Sequence, residues 1–250
     1  MSKRISNTIR KLSSVIMVFA LLLGMLTVSG NTITAKASQS PVKLYSVEGK
    51  TIYHGLNSFN VYIQIAAGSA GSKAVSVHYR NYDDTWLDAD ATFLTKLDSE
   101  TEIWKANVSG CGLSEYAIKY VGDGITYWDN NNGNNHSFYE PLGEANVKAV
   151  CSSYQTAANY NIYAAVKNLA YTKVVKVRYT EDNWATYQDV ELHYSNTLTD
   201  SSTEIWTTTL HLDSSKIDNF HFCISYEVNG QTYWDNNWGA NYDRSFYSPY

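Results

Sequence analysis

Lys173-Val174-Val175-Lys176-Val177-Arg178-Tyr179 is the stretch from which the fold is read. Strand period two puts Val175 and Val177 on one face with Lys173 and Tyr179, and Val174, Lys176 and Arg178 on the other. This is the pattern of an antiparallel strand with one buried and one wet face. Similar short runs lie at 161–167, 204–210 and 220–227, separated by Asp, Asn, Gly and Ser clusters, and no long segment has helical periodicity. Short strands at regular spacing predict an all-β sandwich or barrel of about 100 residues.

Outward from this strand the chain repeats itself. Val75-Ser76-Val77-His78-Tyr79 followed by Trp86 lines up with Val175-Lys176-Val177-Arg178-Tyr179 followed by Trp184. Thr101-Glu102-Ile103-Trp104 returns unchanged as Thr203-Glu204-Ile205-Trp206, and Tyr116-Ala117-Ile118-Lys119-Tyr120 matches Phe222-Cys223-Ile224-Ser225-Tyr226. Tyr127-Trp128-Asp129-Asn130-Asn131 returns as Tyr233-Trp234-Asp235-Asn236-Asn237. The order is kept, so duplication is expected: one module at 38–142 and a second at 143–250. The seam falls at Pro141-Leu142-Gly143-Glu144, a short Pro/Gly connection.

Residues 1–37 read as a secretory leader. Lys3, Arg4, Arg10 and Lys11 precede an apolar run at 15–28, and Ala35-Lys36-Ala37 is a small-x-small cleavage signal. The expectation is a secreted, extracellular protein with no membrane insertion after cleavage. The net charge is -5 and no basic block lies outside the leader, which argues against nucleic acid as partner. Cys111, Cys151 and Cys223 occupy unmatched places in the two copies; they read as small apolar residues, the alternative being one bridged pair with an odd thiol left over.

No nucleophile elbow, zinc motif or phosphate loop is present, and acids such as Asp83 and Asp182 fall in turns. No enzyme activity, cofactor or metal is therefore expected. Asp129, Asn131 and Glu140 only faintly match a calcium loop, since the required Gly is displaced and no helices flank it.

The chain has 21 Tyr and 7 Trp. Trp104 and Trp206 lie inside strand-like runs and are expected in the core. Trp86 and Trp184 follow acidic turns, while Trp128 and Trp234 border amide-rich loops, so these four are expected at the surface. An aromatic plate fringed by amide donors and acceptors suits a sugar ring, which has an apolar C–H face and a hydroxyl edge. Two plates at an angle would hold consecutive rings of a curved α-1,4-glucan.

The run at 173–184, Asp189-Val190-Glu191, Tyr226, and Trp234-Asp235-Asn236-Asn237 with Asn241-Tyr242 together resemble carbohydrate-binding module family 21. That family includes fungal glucoamylase starch-binding domains and glycogen-targeting subunits of protein phosphatase 1. The resemblance spans nearly all of the second copy. The first is more divergent but keeps the Val-x-Val-x-Tyr strand, Trp86, Ile103-Trp104 and Trp128-Asp129-Asn130-Asn131.

The resemblance implies two tandem immunoglobulin-like antiparallel β-sandwich modules that bind starch, glycogen and maltooligosaccharides without catalysis. It implies a site at Trp184 and Trp234 with Asp235, Asn236, Asn237 and Asn241. In the first copy the site falls on Trp86 and Trp128 with Asp129, Asn130 and Asn131. A further family aromatic is replaced by Cys223 and Ala117. A second site falls on Tyr171 and Tyr194. Gly71 stands in place of Tyr171 in the first copy, where this site is expected to be missing. Expected partners are α-glucan polysaccharide and an amylolytic enzyme; the leader argues against phosphatase targeting. The competing reading is an extracellular adhesion or scaffold protein that recognises another glycan or a protein.

Overall fold

The computed structural model describes residues 40–51, 56–111, 113–156, 159–200 and 202–246. The expected leader at 1–37 lies outside them. In the N-terminal half the strands are β1 (Val42–Thr51), β2 (Leu56–Ala66), β3 (Lys73–Arg80), β4 (Trp86–Lys96), β5 (Thr101–Cys111), β6 (Glu115–Gly122), β7 (Ile125–Asp129) and β8 (His136–Ser137). In the C-terminal half they are β9 (Val147–Thr156), β10 (Asn159–Lys167), β11 (Lys173–Thr180), β12 (Gln188–Glu191), β13 (His193–Thr197), β14 (Thr203–His211), β15 (His221–Val228), β16 (Gln231–Asp235) and β17 (Tyr242–Asp243).

The protein is all-β, as its period-two runs predict. The N-terminal half is one curled eight-stranded sheet in the order β1-β2-β5-β4-β3-β6-β7, with β8 on β6. It curls because β4 serves both ends: Ser76 to Arg80 of β3 pair with its first part, and β5 pairs with the rest beyond Ala91. The C-terminal half follows the same order as two sheets, β13-β14-β10-β9 and β12-β11-β15-β16. Here the strand corresponding to β4 breaks at Leu192, which is buried and donates its N–H to the Val175 carbonyl at 2.9 Å.

Each half has its own hydrophobic cluster. The C-terminal one combines Val175, Val177, Phe222 and Ile224 from one sheet with Ile162, Ala164 and Leu210 from the other, so the two sheets face each other across it. The N-terminal cluster joins Val75, Val77 and Ile118 to Val61, Ile63 and Val108 in the same way. The expected faces of β11 hold: Val175, Val177 and Tyr179 are buried, whereas Val174, Lys176 and Arg178 are not. Full burial of such an aliphatic side chain stabilises by roughly 1.5–3 kcal/mol.

Trp104 and Trp206 require a correction. They pack against the edges of their clusters and are only partly buried. The indole N–H explains this. Trp104 donates to Glu102 at 3.1 Å and Trp206 to Glu204 at 3.0 Å, and Lys73 and Lys173 close the same pairs at 2.8 and 2.9 Å.

The described residues belong to one compact unit, and a polar network lies where the halves meet. Lys148 of β9 is buried, 3.0 Å from Glu48 of β1 and 3.7 Å from Asp235, with Tyr242 as a hydrogen-bond partner. Burial alone would push the Lys148 ammonium down, but Asp235, Glu48 and Tyr62 together hold it above the usual lysine range. Beside it Trp238 packs on Tyr45 and Tyr62, with ring centroids 5.4 and 5.2 Å away.

Candidate functional site

Each half presents an exposed Trp through a tight hairpin. Asp123 and Gly124 join β6 to β7 with φ of 48° and 84°; Asn229 and Gly230 join β15 to β16 with 51° and 73°. Two consecutive positive φ values define the turn whose twist matches paired strands, and Asn/Asp-Gly supplies them at least cost. The last strand then carries Trp128 or Trp234 outward, 45% and 46% exposed.

The amide loop that follows is built largely by its own side chains. Asn130 Oδ1 accepts from the Gly133 N–H at 3.1 Å, and Asn236 Oδ1 from the Gly239 N–H at 3.0 Å. Asn131 and Asn237 donate to the carbonyls of Asn135 and Asn241 at 3.1 and 3.0 Å. Asn131, Asn132, Asn135, Asn237 and Asn241 all have positive φ, which Asn tolerates better than most residues. The acids point inward: Asp129 accepts from the Leu44 N–H and Asp235 from the Ala149 N–H, both at 2.7 Å. Burial pushes the Asp129 carboxyl up, but His136 and the Leu44 and Asn131 N–H groups hold it below the usual carboxylate range. Asn130 and Asn236 remain exposed beside the Trp plates.

Strand register corrects the equivalence between the two copies. His78 pairs with Asp88 and Arg80 with Trp86; Arg178 pairs with Asp189 and Tyr179 with Gln188. Continued one residue past the last pair, this register puts Tyr187, not Trp184, in the place of Trp86. A one-residue-longer connection before β12 produces the shift. Trp184 sits in that connection at φ 70°, half-buried, with its N–H on Thr180 Oγ1 at 3.0 Å. Asp182 braces the same turn, and hydrogen bonds from Thr186 and Thr180 draw its carboxyl down to about 2.

The outer face of each half thus holds a row of three. In the first, His78 stacks on Trp86 (4.9 Å, 15°) and meets Trp128 edge-on (5.6 Å, 74°), with Nδ1 2.6 Å from Asp88. In the second, the Arg178 guanidinium lies 4.2 Å from the Tyr187 ring centroid and 5.2 Å from that of Trp234, and makes two hydrogen bonds to Asp189 at 2.7 and 2.8 Å. Cys223, paired with Arg178 in the ladder, is buried and free, and burial pushes its thiol up to about 11. The side chains of Cys111 and Cys151 lie outside the described residues.

Tyr171 is fully exposed in the turn before β11, at 101%. Tyr194 is exposed on β13, edge-on to Trp206 at 6.2 Å. The first half lacks the Tyr171 aromatic, as Gly71 predicts, but Phe93 takes the place of Tyr194: it pairs with Trp104 and meets it edge-on at 6.1 Å. The expectation that this whole second site is missing from the first half is too strong; half of its aromatic pair is present. Phe93, Tyr187 and Trp238 do not stand out in the sequence. Only strand pairing identifies the first two, and Trp238 faces the other half rather than its own.

Beside the first amide loop lies a polar cleft of ≈ 520 Å³, lined by Trp128, Asn130, Asn132, Lys43, Glu144 and Asp200 among others. The corresponding loop of the second half carries Trp238 where the first has Asn132, and that ring is packed on Tyr45 and Tyr62.

A β-sandwich with aromatic plates and amide loops on its outer surface has the make-up of a carbohydrate-binding module. Residues 149–245 match the carbohydrate/starch-binding module of family 21, and this region of the chain is such a module. Protein phosphatase 1 regulatory subunit 3C of Bos taurus is 38% identical over 80 residues, 31% of this chain and 25% of that protein. Glycogen-binding subunit 76A of Drosophila melanogaster is 36% identical over 78 residues, 31% of this chain and 12% of that protein. The chain therefore spans a quarter or less of these two relatives. Among solved structures, the starch-binding domain of Rhizopus oryzae glucoamylase, in complex with β-cyclodextrin and maltoheptaose, is 30% identical with a TM-score of 0.33, covering 40% of this chain and 92% of that one. These relatives are regulatory subunits and binding modules rather than catalysts.

Proposed function

We propose that the chain is a secreted, non-catalytic binder of α-1,4-glucan, built from two tandem immunoglobulin-like modules at 38–142 and 143–250 behind a leader at 1–37. The observation that carries this is the doubled exposed Trp beside an amide loop, in a chain whose residues 149–245 match a starch-binding family. The first site comprises Trp86, Trp128, Asn130 and Asn131, held in place by Asp129. The second comprises Trp184, Trp234, Asn236, Asn237 and Asn241, held by Asp235. Tyr171 and Tyr194 form a further contact in the second module. Such a protein would hold starch, glycogen or maltooligosaccharides near an amylolytic enzyme.

The test is retention of the chain on granular starch, with cellulose as control and β-cyclodextrin as competitor. Retention on starch alone, reversed by competitor, is the expected result. Equal retention on both polymers sinks the α-glucan assignment and favours an adhesion or scaffold role. Appearance of the chain in the culture medium, cleaved near Ala37, tests secretion.

The names of the curated relatives support a second reading, in which the module tethers a protein phosphatase. Co-purification of a phosphatase catalytic subunit with the chain from a cytosolic fraction would establish it; a chain found only outside the cell removes it.

A further inference from the structure

The rows on the two outer faces have one plan and different middle residues. In each, aromatic plates flank a nitrogen side chain hydrogen-bonded to an Asp directly opposite on the next strand: Trp86–His78–Trp128 with Asp88, and Tyr187–Arg178–Trp234 with Asp189. We propose that His78 and Arg178 are the positioning residues of two saccharide platforms, and that His78 makes the first platform respond to pH while Arg178 makes the second indifferent to it. This rests on the carbohydrate-binding reading above and extends it to the residues that hold the plates.

Arginine keeps its charge at any pH the fold survives, so the Arg178–Asp189 clamp and its contacts with Tyr187 and Trp234 persist. Imidazole changes charge between about pH 5 and 8. Protonated, His78 reproduces the second platform, a cation against Trp86 and Trp128 paired with Asp88. Neutral, it keeps one N–H for Asp88 and loses both the cation–π attraction and the second donor. Other charges on this face are Asp90 from β4, Lys119 from β6, whose ammonium lies 5.8 Å from the Trp128 ring centroid, and Arg80 on the strand of His78. Arg80 is paired with Glu115 and Asp84 at 2.9 and 2.6 Å. The nearest charge partner of His78 is therefore Asp88, 2.6 Å from Nδ1. The sign follows: the first platform is strong at low pH and weakens as pH rises through the imidazole transition.

The experiment measures β-cyclodextrin affinity of the full chain at about pH 5 and 8, the range in which imidazole titrates. In a Tyr171→Ala background, which removes the further contact of the second module, Trp234→Ala reports the first platform and Trp128→Ala the second; thermal melts confirm that each variant is folded. The first platform is expected to bind about two- to fivefold more tightly at the lower pH, the scale of an exposed cation–π contact. His78→Arg in the Trp234→Ala chain should abolish that dependence, and Arg178→His in the Trp128→Ala chain should create it. The proposal is overturned by a pH-invariant first platform, by a dependence that survives His78→Arg, or by a folded Trp234→Ala chain that no longer binds although the wild type does. A wild type that binds no glucan at either pH overturns the carbohydrate reading itself, and the proposal with it.

Discussion

Trp184 and Trp238 both hold positive φ, at 70° and 59°, a conformation that costs a bulky residue about 1–2 kcal/mol. Such strain persists only where surroundings impose it, and here the two surroundings differ. Trp238 is packed on Tyr45 and Tyr62 of the other half, so its ring serves the fold. Trp184 is half-buried in a turn that Asp182 and Thr180 brace through backbone and hydroxyl groups, in hydrogen bonds that do not involve the indole. Asparagine accepts this backbone far more readily. Trp184→Asn should therefore leave stability within about 1 kcal/mol, since relieved strain offsets the half-buried ring. It should weaken glucan binding by about 1–3 kcal/mol, the scale of aromatic stacking. Trp238→Asn, which installs the residue found at 132, relieves the same strain but gives up the packing on Tyr45 and Tyr62; a lost burial of about 1.5–3 kcal/mol, partly offset, should leave a net cost of about 1 kcal/mol. Paired urea titrations and β-cyclodextrin isotherms separate the two roles; the opposite pattern would exchange them.

Hairpins govern how the plates are displayed. Around Gly124 and Gly230 the space where a Cβ would sit is empty, so Ala there adds no clash, only the strain of positive φ. Gly230→Ala should cost about 1–2 kcal/mol and fray the β15–β16 end that carries Trp234. Denaturant midpoints check this, and an unchanged midpoint would mean that the turn relaxes without effect on the strands. Strand faces and the exposed Trp128 and Trp234 were legible because period-two alternation and amide runs are local signals; the Asp123-Gly124 and Asn229-Gly230 hairpins were equally local but were not read from the sequence. The Trp86–Tyr187 equivalence was not legible. Asp83-Asp84-Thr85-Trp86 and Glu181-Asp182-Asn183-Trp184 look alike in sequence despite the extra residue before β12, and only the pairing of Arg178 with Asp189 reveals the register. The inward turn of Asp129 and Asp235 was equally hidden, because their partners are the N–H groups of Leu44 and Ala149, 85 and 86 residues away.

At the scale of the whole molecule, a buried polar junction joins the two halves. Lys148 sits between Glu48 and Asp235 with almost no exposure to water. Removing the cation leaves buried carboxylates unpaired, which costs about 3–5 kcal/mol. Burial alone would raise the Glu48 carboxyl, but Lys148 outweighs it and holds Glu48 below its ordinary value of 4.5. A carboxyl depressed in the folded state contributes stability above its unfolded pKa, and that contribution is lost as pH falls through the folded value. Wild-type stability should thus decline below about pH 4.5, the ordinary value from which Glu48 is lowered. Glu48→Gln should start lower at neutral pH and decline less, the two curves converging in acid. Lys148→Met should loosen the junction while leaving both outer faces intact. Two sites held in fixed relation gain avidity on a polymer, by about 10²–10⁴ when geometry lets both engage. Lys148→Met should therefore lose retention on granular starch while each platform keeps its affinity for β-cyclodextrin, which occupies one site at a time. Equal loss on both ligands would mean that the junction shapes the individual sites, and unchanged retention on starch would mean that the two platforms never engage one polymer together.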